Sequence, residues 1–233
     1  MSTIYLIPSV LQDTSLETIP SYILTAIKNC QVIFAENERT TRRYFKSLDS
    51  NIIIDEFEWF TIHKTEIEQG DNFRKKITEN KNIAIVSEAG CPGIADPGQQ
   101  LIRIAQEMNC IIRPLTGPSS ILLALMASGM NGQQFEFTGY LPIENLARDK
   151  MIKELERSSE KYNSTKIFIE TPYRNMQLLE SLLKVCQQNT RLCIAVNLTA
   201  KNESIKTRTI AQWKLNKPDL HQQPAIFLLY NGN

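Results

Sequence analysis

Histidine is nearly absent from this chain. His63 and His221 are the 2 histidines in 233 residues, and neither has a second His or Cys at metal-ligand spacing, so no metal site is expected and both read as surface residues. Cysteine occurs five times (Cys30, Cys91, Cys110, Cys186, Cys193) without a CxxC pair. An odd count without pairing argues against a disulfide framework or a zinc ribbon and for buried thiols in a reducing compartment. A surplus of charge is missing too: 26 basic and 25 acidic residues leave a net +1. Phosphate neutralisation supplies most of the affinity of dedicated nucleic-acid binders, so the balance argues against a general RNA coat protein, though not against a local basic patch. No stretch of eighteen consecutive apolar residues exists, which argues against a membrane-spanning helix. The opening MSTIYLIPSV lacks a basic region followed by a long apolar stretch, so no signal peptide and a cytoplasmic location are expected. Two nucleotide signatures are also missing: there is no GxxxxGK[ST], and no GxGxxG after any strand-like run.

What is present is an ordinary globular composition, 42% hydrophobic and 22% charged, with enough apolar surface for two compact domains. The first half alternates short apolar runs with amphipathic stretches. Strands are expected at 4–7, 32–35, 51–54, 83–86 and 110–114, and helices at 16–28, 40–48, ending at 73–79, 97–108 and 118–127. Such alternation predicts parallel βαβ units. Asp96-Pro97 and Gly117-Pro118 each put proline where a helix is expected to begin. The second half changes character. Strands at 135–140, 166–170, 192–198, 204–210 and 225–230 are interrupted by helices at 145–161 and 175–188, which predicts a mixed sheet. We therefore expect an α/β protein with an N-terminal parallel domain, 1–115, and a C-terminal mixed-sheet domain, 116–233.

The densest chemistry lies in residues 87–98, SEAGCPGIADPG, between a buried-looking strand and a helix. Three glycines and two prolines dictate an unusual loop and let backbone approach a ligand closely. In open α/β sheets ligands gather at the carboxyl ends of strands, where this loop emerges. The plainer alternative is a rigid turn in which Asp96 caps the next helix.

This loop resembles the SDAGTPGISDPG loop of the tetrapyrrole methylase superfamily, in its RNA-methylating branch. Further matches follow in the same order. Residues 4–8 resemble the opening strand and proline, AENERTTR at 35–42 resembles AEDTRxTR, and PLTGPS at 114–119 resembles PxPGPS. Residues 137–142 resemble FxGFLP, and ETPYR at 170–174 resembles ESPHR. The resemblance implies two α/β domains with the cofactor cleft between them, a homodimer, S-adenosylmethionine as cofactor, and transfer of a methyl group to a ribose 2′-hydroxyl of ribosomal RNA. It also implies cofactor contacts from Pro8, Ser87, Glu88, Ala89, Gly90, Ile94, Ala95, Asp96, Ser119 and Ser120. It places Glu36, Arg39 and Arg42 near the substrate. A sulfonium already activates its methyl group, so the protein's main task would be alignment. A hydroxyl nucleophile must also lose a proton. Glu36, Glu88 and His63 are the candidates for that role, with the catalytic residue unassigned.

The departures cluster where substrate is expected. The PIGNLxD segment becomes PSVLQD at 8–13, FLPRK becomes YLPIE at 140–144, and ARELTK becomes AVNLTA at 195–200. Cations are lost at each of the last two. Together with an end at Asn233, without a C-terminal segment common in that branch, this reads as a shortened and diverged paralogue. Two other functions stay open: methylation of a tetrapyrrole or other small molecule, and cofactor binding without catalysis. Individual residues also carry two readings. Arg39, Arg42 and Arg43 either grip phosphate or form a solvated helix face. Glu88 either orients the cofactor's ammonium or ribose, or points at water or a backbone donor. Phe57, Trp59 and Phe60 either stack an unpaired base or, as preferred here, pack at a domain or dimer interface. Cys91 is expected to pack rather than react.

Overall fold

The structure, a computed structural model, describes residues 2–62 and 68–232. The chain divides into two compact units, Met1–Ser119 and Ser120–Asn233.

The first unit alternates strand and helix: β1 (Thr3–Ile7), α1 (Tyr22–Lys28), β2 (Val32–Ala35), α2 (Glu38–Leu48), β3 (Glu58–Thr61), α3 (Gly70–Thr78), β4 (Ile83–Val86), α4 (Gln99–Glu107) and β5 (Ile111–Pro114). Its sheet runs in the order β3-β2-β4-β1-β5, with every pairing parallel. Successive side chains of a strand point to opposite faces, and both faces are covered here. Ile4, Val32, Phe34, Ile83 and Ile85 pack with Phe73, Ile77, Leu101 and Ile104 of α3 and α4. Tyr5, Ile7, Ile33, Ala35 and Val86 pack with Ile23, Ile27 and Phe45 of α1 and α2. Central strands VIFA and IAIV are buried throughout, as β-branched strands of a doubly covered sheet must be. Each fully buried side chain of this size contributes about 1.5–3 kcal/mol of transfer free energy.

This arrangement creates a crevice. From β1 the chain crosses to β2 on the α1 face, whereas from β4 it crosses to β5 on the α4 face. Neighbouring strands whose connections leave toward opposite faces open a gap at their carboxyl ends. Register places Ile7 and Ala35 on either side of Val86. Pro8, Glu36 and Ser87, the next residue of each strand, therefore emerge together.

The second unit comprises α5 (Ser120–Ser128), β6 (Phe135–Tyr140), α6 (Asn145–Tyr162), β7 (Thr165–Ile169), α7 (Asn175–Val185), β8 (Arg191–Val196), β9 (Ser204–Thr209), α8 (Ile210–Leu215) and β10 (Ala225–Tyr230). Its sheet order is β6-β7-β10-β8-β9. Only β6–β7 is parallel, and β10–β7, β10–β8 and β8–β9 are antiparallel. The sheet is thus mixed, as the closely spaced strands of the sequence imply. Leu178, Leu179, Leu182, Phe168, Phe227 and Trp213 centre its core.

Several local expectations need correction. Residues 51–54 form no strand: Ile54–Glu56 is a 3-10 turn and the edge strand is Glu58–Thr61. The helix expected over 16–28 is split into a 3-10 turn, Leu16–Thr18, and α1, with Pro20 between them, because proline removes a donor. Helices α4 and α5 begin at Gln99 and Ser120, two residues after Pro97 and Pro118. Gly98, at φ 122°, holds the N-cap position of α4, so Asp96 is not the cap. The aromatics of EFEWF pack inside their own unit: Phe57 and Trp59 lie 6.1 and 6.0 Å from the Phe45 ring, and Phe60 stacks on Phe34 at 4.7 Å. All five cysteines are free. No helix among the described residues is long and apolar enough to cross a membrane.

Candidate active site

The loop after β4 is tied down at both ends. Ser9 and Gly90 exchange backbone hydrogen bonds, Ser9 N–H to Gly90 O at 2.8 Å and Gly90 N–H to Ser9 O at 3.1 Å. The Ser9 hydroxyl donates to Ser87 O at 2.8 Å. Farther on, Ile94 N–H donates to Cys91 O and Gly93 N–H to Pro97 O, both at 3.2 Å. Gly90 and Gly93 sit at φ 73° and 77°, and Ala95 at 64°. The left-handed region suits glycine and costs other residues free energy, so the strain at Ala95 is held by the closed turns around it.

The loop after β5 arrives at the same place. Gly117 packs against Pro8 so closely that a Cβ there would lie 2.2 Å from the Pro8 Cβ. The Cys91 thiol donates to Pro118 O at 3.6 Å. Burial and the charge of Asp96 push that thiol's pKa up, so it stays protonated and packs, as expected from the sequence. Three segments remote in sequence, 8–9, 87–91 and 117–118, are thus brought together, and Ser119 and Ser120 follow directly.

The loop after β2 completes the arrangement. Asn37 caps α2 by accepting from Thr40 N–H at 3.2 Å. The Glu88 carboxylate, which is exposed, accepts from Asn37 Nδ2 at 3.3 Å and from the Thr40 hydroxyl at 3.2 Å. Glu36 in turn accepts from the Glu88 amide at 2.8 Å. Asp96 feels both carboxylates. Burial first, then the charges of Glu36 and Glu88, raise its pKa from 3.8 to about 7. This corner holds more negative charge than it can easily keep dry, which suits a cationic ligand. Ile94 and Ala95 are exposed beside it.

Two recesses open along α2. A cleft of about 480 Å³ is lined by Ser9, Leu11, Arg43, Tyr44, Ser47 and the 87–89 segment, among others. Tyr44 donates its hydroxyl to Pro8 O at 2.9 Å, and burial pushes its pKa up, so it remains a donor. A second recess of about 400 Å³ is lined by Glu36, Asn37, Glu38, Arg39, Thr61 and Glu88. Arg39 thus stands among carboxylates, and Arg42 does not line either recess. Its guanidinium pairs with Glu38 at 2.8 Å and Asp55 at 3.3 Å and lies 4.8 Å over the Trp59 ring. Ser9, Tyr44 and Ser47 were not singled out by sequence. Tyr44 and Ser47 carry a periodic signal, since Thr40, Arg43, Tyr44 and Ser47 are spaced to share one helix face; Ser9, on the loop after β1, carries none. His63 lies outside the described residues.

The profile of the tetrapyrrole (corrin/porphyrin) methylases matches residues 16–214. The chain belongs to this family. It is therefore a methyltransferase, and methyltransferases of the family use S-adenosylmethionine. The ribosomal RNA small subunit methyltransferase I of Buchnera aphidicola subsp. Schizaphis graminum is 29% identical over 98% of this chain and 78% of that protein. In fold, the methyltransferase CobJ matches with a TM-score of 0.65 at 16% identity, covering 99% of this chain and 93% of that one. A uroporphyrin-III C-methyltransferase from Thermus thermophilus, complexed with S-adenosyl homocysteine, matches with a TM-score of 0.60 at 12% identity over 98% and 97% of the two chains.

Proposed function

We propose that this protein is an S-adenosylmethionine-dependent methyltransferase acting on ribosomal RNA, at a ribose 2′-hydroxyl. The observation that carries the substrate is the likeness to the Buchnera enzyme across 98% of this chain. The cofactor reading is supported by the chemistry of the site. S-adenosylmethionine is a cation at its sulfonium and ammonium, and Asp96, pressed by Glu36 and Glu88, supplies the negative corner such a group requires. Ile94 and Ala95, the latter at positive φ, are exposed beside it. Pro8, Ser87, Glu88, Ala89, Gly90, Ile94, Ala95 and Asp96 would hold the cofactor, with Ser119 and Ser120 at the end of the neighbouring loop.

When bound, the cofactor supplies a methyl group already activated by positive sulfur. The chain's own contribution is position. Ser9, through its bonds to Ser87 and Gly90, fixes the loop wall. Tyr44 holds Pro8 O and with it the end of β1. Glu36 and Glu88 are engaged by backbone and cap donors, and Asp96, whose ionised form a bound cation would favour, would serve to hold the cofactor.

A small-molecule substrate is the second reading, supported by the neutral overall charge and by Ile143 and Glu144, which replace two cations of the RNA branch. Cofactor binding without catalysis is the third. Transfer of radiolabelled methyl to total RNA, ribosomal subunits and a small-molecule extract separates the three. Label in the small ribosomal subunit is expected; label confined to the small-molecule fraction overturns the RNA reading, and no label anywhere overturns catalysis. The same reading proposes a homodimer in the cytoplasm, the former checked by sedimentation.

A further inference from the structure

Three arginines stand within five positions of α2, and their surroundings differ. Arg42 is held by Glu38, Asp55 and the Trp59 ring. Arg39 opens onto a recess it shares with Glu36, Glu38 and Glu88, where a phosphate would meet like charge. Arg43 is exposed, makes no ion pair with any described residue, and lines the 480 Å³ cleft. That cleft is walled at one end by the 87–89 segment, part of the loop assigned above to the cofactor, and along its side by Thr40, Tyr44 and Ser47. A recess of this size accommodates a nucleotide-sized group.

Resting on the RNA reading above, we propose that Arg43 binds a phosphodiester of the RNA beside the methylated nucleotide, with the cleft receiving that nucleotide against the 87–89 wall. A guanidinium offers several donors in a fixed fork matched to phosphate oxygens. Asp13 and Glu88 line the same cleft, and Glu88 is occupied by Asn37 and Thr40. Arg43 is the one cation among the described residues that line this cleft, so a polyanion entering it is held there. One cation aimed at one phosphate also suits a protein with a net charge of +1, in which affinity must come from placement and not from a broad basic field.

The test compares Arg43→Ala and Arg43→Lys with the unaltered protein and with Arg103→Ala, a remote surface variant on α4. Methyl transfer to small ribosomal subunits is followed against substrate and salt, and cofactor affinity is measured by calorimetry. Arg43→Ala should raise KM for the subunit about tenfold with kcat and cofactor affinity unchanged, and flatten the log–log salt dependence of binding by roughly one unit. Arg43→Lys should recover part of the affinity and most of the salt slope. An Arg43→Ala protein with unaltered KM and salt slope overturns the anchor while leaving RNA methylation standing. An unaltered protein that labels no RNA overturns the RNA reading itself, and the anchor with it.

Discussion

The two units place their least accessible charges in different company: those of the C-terminal unit are buried, and Asp96 of the N-terminal unit is half-buried. In the C-terminal unit Lys166, Arg148 and Glu156 are each held by an ion pair or by neutral hydrogen-bond partners. Lys166, 3% exposed, meets Glu136 at 2.7 Å. Arg148 donates to Ser181, to Ile143 O and to Asn145. Glu156 accepts from Thr190 at 2.5 Å and from Gln187 N–H at 2.8 Å. In the N-terminal unit the carboxyl that matters, Asp96, is flanked by more carboxylates. A charge satisfied inside the fold is structural. A charge pressed by its own sign costs stability unless something else completes it, and that asymmetry is what marks the crevice as a place for a ligand.

The strongest way to break this contrast is steric. In Gly117→Ala the new methyl would meet the Pro8 ring at 2.2 and 2.4 Å, and a proline ring cannot turn aside. Overpacking of this kind costs about 1–3 kcal/mol or more. Urea unfolding should show that loss, and calorimetry should show cofactor affinity reduced more than tenfold as the end of β1 moves. Next in size is Glu156→Ala. It strands a buried hydroxyl and an amide and should cost about 1–3 kcal/mol, while the folded fraction keeps its full methyl-transfer rate. A comparable loss of turnover per folded molecule would contradict the division of roles between the units.

The third test uses pH. Asp96 has its folded pKa raised from 3.8 to about 7. Between those values the folded chain holds a proton that the unfolded chain has released, so stability falls as pH rises from about 4 to about 7 and levels off above. A bound cation favours the ionised carboxyl, so cofactor affinity should run the other way, rising severalfold from about pH 6 to about pH 8. Asp96→Asn should flatten both profiles, and a wild-type affinity independent of pH would remove Asp96 from the site. The smallest effect belongs to Arg42→Ala. Its partners Glu38 and Asp55 are solvent-accessible, so the loss should stay near or below about 1 kcal/mol, with the salt dependence of RNA binding unchanged. Set beside Arg43→Ala, it separates a structural arginine from a binding one.

Much of this was legible in the residues. The runs VIFA, IAIV and FEFTGY are strands at their expected bounds; in the first two, continuous burial of a short run rich in β-branched residues leaves a helix little to offer. The failure at 51–54 has the same origin. Ile52 and Ile54 are buried, but they anchor a loop. Hydrophobic pattern reports burial and is silent about which backbone groups pair, and the edge strand went instead to the mixed segment EWFT. Helix α8 was overlooked although its capping box, Thr209 with Gln212, is written in the sequence; the preceding strand pattern simply ran into it.

At the site, the glycine and proline loop announced itself, because positive φ and close approach tolerate few residue types. Which arginine of α2 is free did not. Glu38 at i−4 hinted that Arg42 would be paired, but Asp55 and Trp59 reach it only through the fold.

Local rules therefore sufficed for the alternation of strand and helix, the mixed character of the second sheet and the loop that carries the chemistry, since propensity, periodicity and allowed φ act over a few residues. Strand order alone set Pro8, Glu36 and Ser87 in one row, pressed Asp96 against two like charges, and turned Arg43 to a cleft while Arg42 was captured. Electrostatics and steric contact depend on distance in space, and positions such as Pro8 and Ser87, or Glu36 and Asp96, come near one another only when the sheet assembles.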